Sequence, residues 1–430
     1  MSSDANGPNR LHLRVERSKR ALDALSEEIS TWMRVRRTEK EFKRLVRQLG
    51  VLEVMLISMA ERLRIEFAAV ESFTEDGAGY ERCRELDRSV ANLRRVFHWY
   101  LNKYEQRRDP RFAAVLRGAD EVVRSCWTPS DNAELVRTAP LCFIDNSPEA
   151  FTVRRCVVPA ELKVKSDLLL ADLIAELPIP VILLPETAVR EAWWLVLAAH
   201  EAGHQVQDDF DLGTVVSGAL ADAAGPHAVA WQRWSREAFA DAYSVVMVGH
   251  AAAWAIDELQ HASPERMLVA DGGYPPPLLR TELLRELARQ LGIDVPEHDG
   301  GELAEERKAL PSIAAALLAT PVGDRPLADL RSPDALGLTG RRRSWSGQLT
   351  SNAPMITPVN TRFAPRTLIG AGVDSYLALL SRGRHEQASL VHHNLITALA
   401  GSGGEGVLAP APRPVLQALA DRLADRLLAG

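Results

Sequence analysis

Residues 197–206 read LAAHEAGHQV, and a second stretch at 236–243 reads REAFADAY. His200 and His204 stand four apart, which on a helix puts both imidazoles on one face with Cβ atoms roughly 5–6 Å apart. That spacing suits two ring nitrogens sharing one metal ion at roughly 2.0–2.1 Å. Trp193, Val196 and Leu197 fall on the same helical stripe, so this face is expected to look inward rather than to water. Glu201 follows the first histidine directly, where it reaches a water at such an ion without being a ligand. Ala202 and Gly203 are small enough to let a neighbouring backbone approach. Pro185 and Glu186 suit a first helical turn, so the helix is predicted over about residues 186–207.

A catalytic zinc takes three protein ligands and keeps one position open, so a third ligand must come from elsewhere. Glu237 lies 33 residues after His204, and Asp241 follows it by four, on the same face of a second predicted helix. Glu237 suits the metal, and Asp241 suits the outward N–H of a ligating histidine, fixing its tautomer. Phe239, Ala240, Tyr243, Val245 and Val246 surround the pair, which points to burial, and buried carboxylates without a cation are costly. His227, Asp208 and Asp209 are weaker third ligands, because none brings a paired carboxylate. A third histidine on the extended first motif would need Gly at 207 and His at 210, where Gln207 and Phe210 stand. His250, His385, His392 and His393 lack partner spacing and read as structural or surface residues.

HEAGH (200–204) followed by EAFAD (237–241) resembles the gluzincins, zinc peptidases with H-E-x-x-H on one helix and E-x-x-x-D on a second. The pattern is most similar to the branch holding the CAAX prenyl proteases and the bacterial heat-shock membrane proteases, in which an H-P-x-x-x-x-R turn follows. Here that turn reads YPPPLLR, with Tyr274 at the histidine position and Arg280 at the arginine position. The resemblance covers about residues 178–285. It implies a zincin-like core, one Zn2+ on His200, His204 and Glu237, and Asp241 steadying a ligand. Glu201 would be the general base that takes a proton from water and hands it to the leaving amine. Arg280 and Tyr274 are the candidate donors to the developing oxyanion, with pairing to an acidic neighbour as the other role for Arg280. The expected function is a soluble zinc metalloendopeptidase, a hydrolase acting on a peptide or protein substrate. A non-catalytic helical scaffold that keeps a metalloprotease-like fold, and a partner-regulated protease, are the alternatives.

The rest of the chain sets the context. Its 430 residues are 46% hydrophobic and 25% charged with a net charge of −6, an ordinary globular composition. Residues 1–128 hold 25 Lys/Arg against 20 Asp/Glu, and the remainder 26 against 37. The charges of the basic head alternate in sign and no recognition motif accompanies them, so they read as solvated helix surface rather than a nucleic-acid site. Cys83, Cys126, Cys142 and Cys156 form no C-x-x-C pair, which fits a reducing compartment. No apolar signal opens the sequence, and the run from Ala242 to Ile256 is about 15 residues, short of the roughly 20 that cross a bilayer. A cytoplasmic chain without a membrane span is expected.

Apolar periodicity predicts three or four helices over 10–127, a bundle of unassigned role compatible with a scaffold, a dimerisation arm or docking of a protein partner. Short β-branched runs at 141–146, 152–158 and 180–184 predict a small sheet, with 180–184 as the strand for an extended peptide. Helices are expected after YPPP and at 366–382, 386–400 and 415–428, with a linker at 401–414 and GRRRSWSG (340–347) as the most loop-like stretch of 296–360. The fold class that results is mainly α with a small β-sheet (α+β). A zincin-like core at 129–295 is flanked by a helical bundle at 1–128 and by Pro/Gly-rich loops and C-terminal helices at 296–430.

Overall fold

Helical spacing of apolar residues builds the first four elements, α1 (Arg10–Thr38), α2 (Val46–Val70), α3 (Asp76–Glu105) and α4 (Pro110–Cys126). The computed structural model describes residues 10–73, 76–129, 138–145, 151–153, 177–295, 303–332, 336–357, 361–402 and 413–428. Leu22, Leu25 and Ile29 of α1 meet Leu52, Met59 and Leu63 of α2 and Leu93 and Phe97 of α3 in one apolar interior. The start of α4 is set locally. Pro110 takes a first-turn position, and the Asp109 carboxylate accepts the Arg111 backbone N–H at 2.9 Å, satisfying one of the free donors of the helix end.

Three short strands follow: β1 (Leu141–Asp145), β2 (Phe151–Val153) and β3 (Val181–Pro185). The order is β1-β3-β2, with β1 parallel and β2 antiparallel to β3. Whether the 180–184 run forms an edge is open in the sequence; residues 181–184 lie in the central strand β3, so main-chain pairing with a substrate is not open to them. Residues 154–158 of the second expected strand lie outside the described residues. The continuous apolar runs of β1 and β3 have a simple cause. Successive side chains of a strand point to opposite faces, and here both faces are buried. Leu141, Phe143, Val181 and Leu183 enter the N-terminal interior, whereas Cys142, Ile144, Ile182 and Leu184 enter a second one. The sheet is thus a partition between two cores.

The second core holds α5 (Leu197–Asp209), α6 (Gly213–Ala224), α7 (Ala228–Val248), α8 (His250–Gln260), α9 (Pro277–Gln290) and α10 (Leu310–Ala319). It is completed by α11 (Leu338–Leu349), α12 (Ala364–Leu380) and α13 (Ala388–Gly401), and α4 turns its apolar face, Phe112, Val115 and Leu116, into it. The last helix, α14 (Arg413–Leu428), returns to the first core with Leu419, Leu423 and Leu427. The protein is mainly α with a small β component. Among the described residues no helix is long and apolar enough to cross a membrane. Cys83, Cys126 and Cys142 are buried free thiols, while Cys156 lies outside the described residues.

Two local expectations change. The helix predicted from residue 186 begins as 3-10 turns at Glu186–Val189 and Ala192–Val196, and becomes α-helical at Leu197. Glu191 between them is non-helical, with φ −133° and ψ 74°, and the Ala192 N–H donates to His392 Nδ1 at 3.1 Å, so a tertiary bond replaces the helical one. GRRRSWSG is not a loop but most of α11. Leu338, Trp345 and Leu349 form a buried stripe along it, while the Arg342 guanidinium bonds both Asp374 oxygens at 2.7 and 2.8 Å.

Candidate metal centre

The site forms where α5 crosses α7, and Gly203 sets how closely they approach. A Cβ at that position would stand 2.9 Å from Tyr243 Cβ and 3.0 Å from Ala240 Cα, closer than atoms tolerate in a packed core. The crossing is held from outside the two helices as well. Tyr243 Oη donates to the Cys126 carbonyl at the end of α4 and lies 3.1 Å from Thr128 Oγ1. The Arg342 guanidinium also donates to the Val248 carbonyl at 2.9 Å, satisfying one of the free acceptors at the end of α7.

At the crossing His200 and His204 of α5 meet Glu237 of α7, and one potential ligand atom from each lies within 4.8 Å of the others. Glu237 Oε2 is 3.4 Å from His200 Nε2 and 3.5 Å from His204 Nε2. The rings stand edge to face, 86° apart with centroids at 4.7 Å. All three residues are buried. Among the described residues Glu237 Oε2 has no hydrogen-bond partner, although a lone buried carboxylate oxygen carries a large desolvation penalty. Two imidazoles and this carboxylate oxygen form a group that could hold a metal ion.

Behind the ligand atoms sits a second layer of charge. Asp241 Oδ1 is 2.9 Å from His200 Nδ1, a hydrogen-bond separation, yet a proton on that nitrogen is not aimed along the line. Arg280 at the start of α9 grips Asp241 with two bonds, Nε to Oδ2 at 2.6 Å and Nη2 to Oδ1 at 2.8 Å. It also comes within 3.8 Å of Glu237 Oε2. Of the two roles open to Arg280 in the sequence, the fork-to-carboxylate geometry is that of ion pairing. Tyr274 lies under the guanidinium, which is 5.0 Å from its ring centroid, and is itself exposed. Glu201 is buried beside His200.

These neighbours overrule burial in setting charge. Burial opposes the imidazolium, but Asp241 and Glu237 still push the His200 pKa up to about 10. Burial also works against the Glu237 carboxylate, which the two imidazoles nevertheless hold well below the usual range. Asp241 is likewise lowered against its burial, chiefly by the Arg280 charge. The field at the centre therefore favours a cation. The Glu237 and Asp241 carboxylates face one guanidinium, that of Arg280, across this centre.

The other acidic and histidine candidates go elsewhere. Asp208 pairs with Arg236 at 2.7 Å, and Asp209 accepts from Gln205 at 2.7 Å and from Trp127 Nε1 at 3.2 Å. His227 precedes α7 and is absent from the ligand group. His250 lies 2.8 Å from Asp374, and His392 holds the Ala192 N–H. No protein-family model matches the chain, and neither a curated protein nor a solved structure matches it. The site's chemistry has to be read from its own residues. One support went unread in the sequence: Asp374, which pairs with the Arg342 that caps α7. Its signal was a lone charge inside the apolar run LIGAGVDSYLALL.

Proposed function

We propose that the chain is a zinc metallopeptidase of the gluzincin kind, hydrolysing peptide bonds in a peptide or protein substrate. The observation that carries this is the meeting of His200, His204 and Glu237 from two helices. Ligands at roughly 2.0–2.2 Å from a tetrahedral zinc stand roughly 3.4 Å from one another. The two measured separations from Glu237 Oε2, 3.4 and 3.5 Å, fit that geometry. Among common biological ions, two nitrogens and a carboxylate oxygen favour zinc over magnesium or calcium, which take oxygen cages.

When bound, zinc supplies Lewis acidity, which polarises a carbonyl and makes a bound water a better acid. Everything else is the work of the chain. His200, His204 and Glu237 hold the ion, Asp241 orients His200, and Arg280 keeps Asp241 charged and in place. Glu201 is not in the ligand group but adjoins it, so it accepts the proton that water loses on attacking the carbonyl carbon, then delivers it to the departing amine.

Metal analysis and peptide digestion test the assignment together. Glu201→Gln is expected to keep about one zinc per chain and to lose hydrolysis by about 10²–10⁴-fold, whereas His204→Ala loses the metal. Zinc retained in His204→Ala, or full cleavage by Glu201→Gln, would sink the proposal.

A further inference from the structure

A cavity of about 660 Å³, lined by none of the candidate metal residues, is walled by the end of α1, residues 43–45, α2, α4, residues 138–140 and α14. Its volume falls in the range typical of small-molecule sites. Arg37, Lys43, Arg44, Arg47, Arg124 and Arg413 line it, against two carboxylates, Glu53 and Asp120. Both carboxylates are engaged: Glu53 lies 2.6 Å from Arg37, and Asp120 is held by Arg107 at 2.6 Å. Arg124 leans on Glu121 at 2.6 Å.

Arg47 is different. Its Nε and Nη1 are buried with no hydrogen-bond partner among the described residues. Burial alone acts on its charge and lowers its pKa. Two buried guanidinium nitrogens without an acceptor among the described residues leave a desolvation cost uncompensated, and an anion entering the cavity would remove it. Leu45, Val51 and Leu416 give the same cavity apolar walls, so a fully hydrated ion would leave them uncovered. Lys43, Arg44 and Arg413 line the cavity with exposed side chains, Arg44 being paired with Glu121 at 3.3 Å.

We propose that this cavity binds a small organic phosphate, a phosphate monoester with an apolar body, whose oxygens are taken by Arg47 and whose body lies on the apolar walls. The excess of basic side chains matches a dianion, and the planar fork of arginine matches phosphate oxygens. The proposal does not depend on the metal reading, because neither zinc nor hydrolysis enters it.

Calorimetric titration of the full chain with phenyl phosphate, beside inorganic phosphate and phenol, tests it. Phenyl phosphate is expected to bind more tightly than either fragment, and to weaken as salt is raised. Arg47→Met, which keeps the stem and removes the fork, should weaken binding by about tenfold or more. Should that variant fail to fold, the exposed Lys43→Gln/Arg413→Gln pair should still weaken binding and flatten its salt dependence. Absence of phenyl phosphate binding, binding unchanged in folded Arg47→Met, or inorganic phosphate binding as tightly as the ester would each overturn the proposal.

Discussion

The two cores that share the sheet treat charge in opposite ways. On the N-terminal side the buried cations lie close to the sheet: Lys103 over the Trp99 and Phe143 rings at 4.3 and 4.4 Å, and Arg107 on Asp120 and the Cys142 carbonyl. On the other side Arg366 and Asp209 are also buried singly, but His200, Glu201, His204, Glu237, Asp241 and Arg280 are buried in one knot. Buried charges set apart from one another tie elements together. A knot of six raises the desolvation cost far beyond what tying two helices requires, and is intelligible where a cation and a reaction use it. The difference teaches where chemistry is expected: at the place where a core tolerates charge that packing alone would reject.

The largest break in that contrast should come from Arg280→Met. It takes the bidentate cation from buried Asp241 and leaves only His200 beside it, a loss of up to about 3–5 kcal/mol that urea denaturation of the metal-free protein measures. Zinc affinity should fall with it, by about 10–100-fold, as expected when the residue supporting a ligand is lost. An unchanged denaturation midpoint would mean that Arg280 does not sustain the knot.

Two glycines in helix interiors sharpen the comparison. Gly203→Ala drives a Cβ into α7 at 2.9 and 3.0 Å, and overpacking of this kind costs about 1–3 kcal/mol. Gly50→Ala in α2 meets only the Arg37 Nη2 at 3.6 Å, so the helical preference for alanine should prevail and stabilise the protein by up to about 1 kcal/mol. Thermal denaturation of both variants compares them directly, and equal destabilisation would deny that the α5–α7 crossing is the tighter of the two places.

A pH effect of similar size is expected away from the knot. Burial opposes the Asp374 carboxylate, but bonds from Arg342 and His250 lower its pKa from 3.8 to about 2. The folded value is the lower one. The stabilisation is therefore complete above about pH 4 and lost as pH falls towards 2, amounting to roughly 2 kcal/mol. Asp374→Asn should flatten acid denaturation in that window. Identical acid profiles would show that Asp374 gains nothing on folding.

Much of this was legible beforehand, for reasons that differ by region. The four-residue spacings of His200/His204 and Glu237/Asp241 fix shared faces whatever the rest of the chain does, and the small residues at 202 and 203 signalled a close crossing. The long helices followed from repeated apolar positions. What escaped depends on distant partners. Three arginines in a row hid the apolar stripe of α11, the 3-10 turns before α5 depend on His392, and strand order cannot be read from runs that are apolar on both faces. Nothing local distinguishes the two roles of Arg280 until Asp241 is seen beside it.

The return of α14 to the first core has a bearing on how the protein is made. Leu419, Leu423 and Leu427 fill the side of α2 and α3, and Ser89 Oγ donates to the Leu427 carbonyl at 2.9 Å. Helices that leave the ribosome early therefore keep an open apolar flank until nearly all the described chain has followed. Completion runs from the far end back to the beginning, and a nascent chain stalled before Arg413 would be a natural client for chaperones that shield exposed apolar surface.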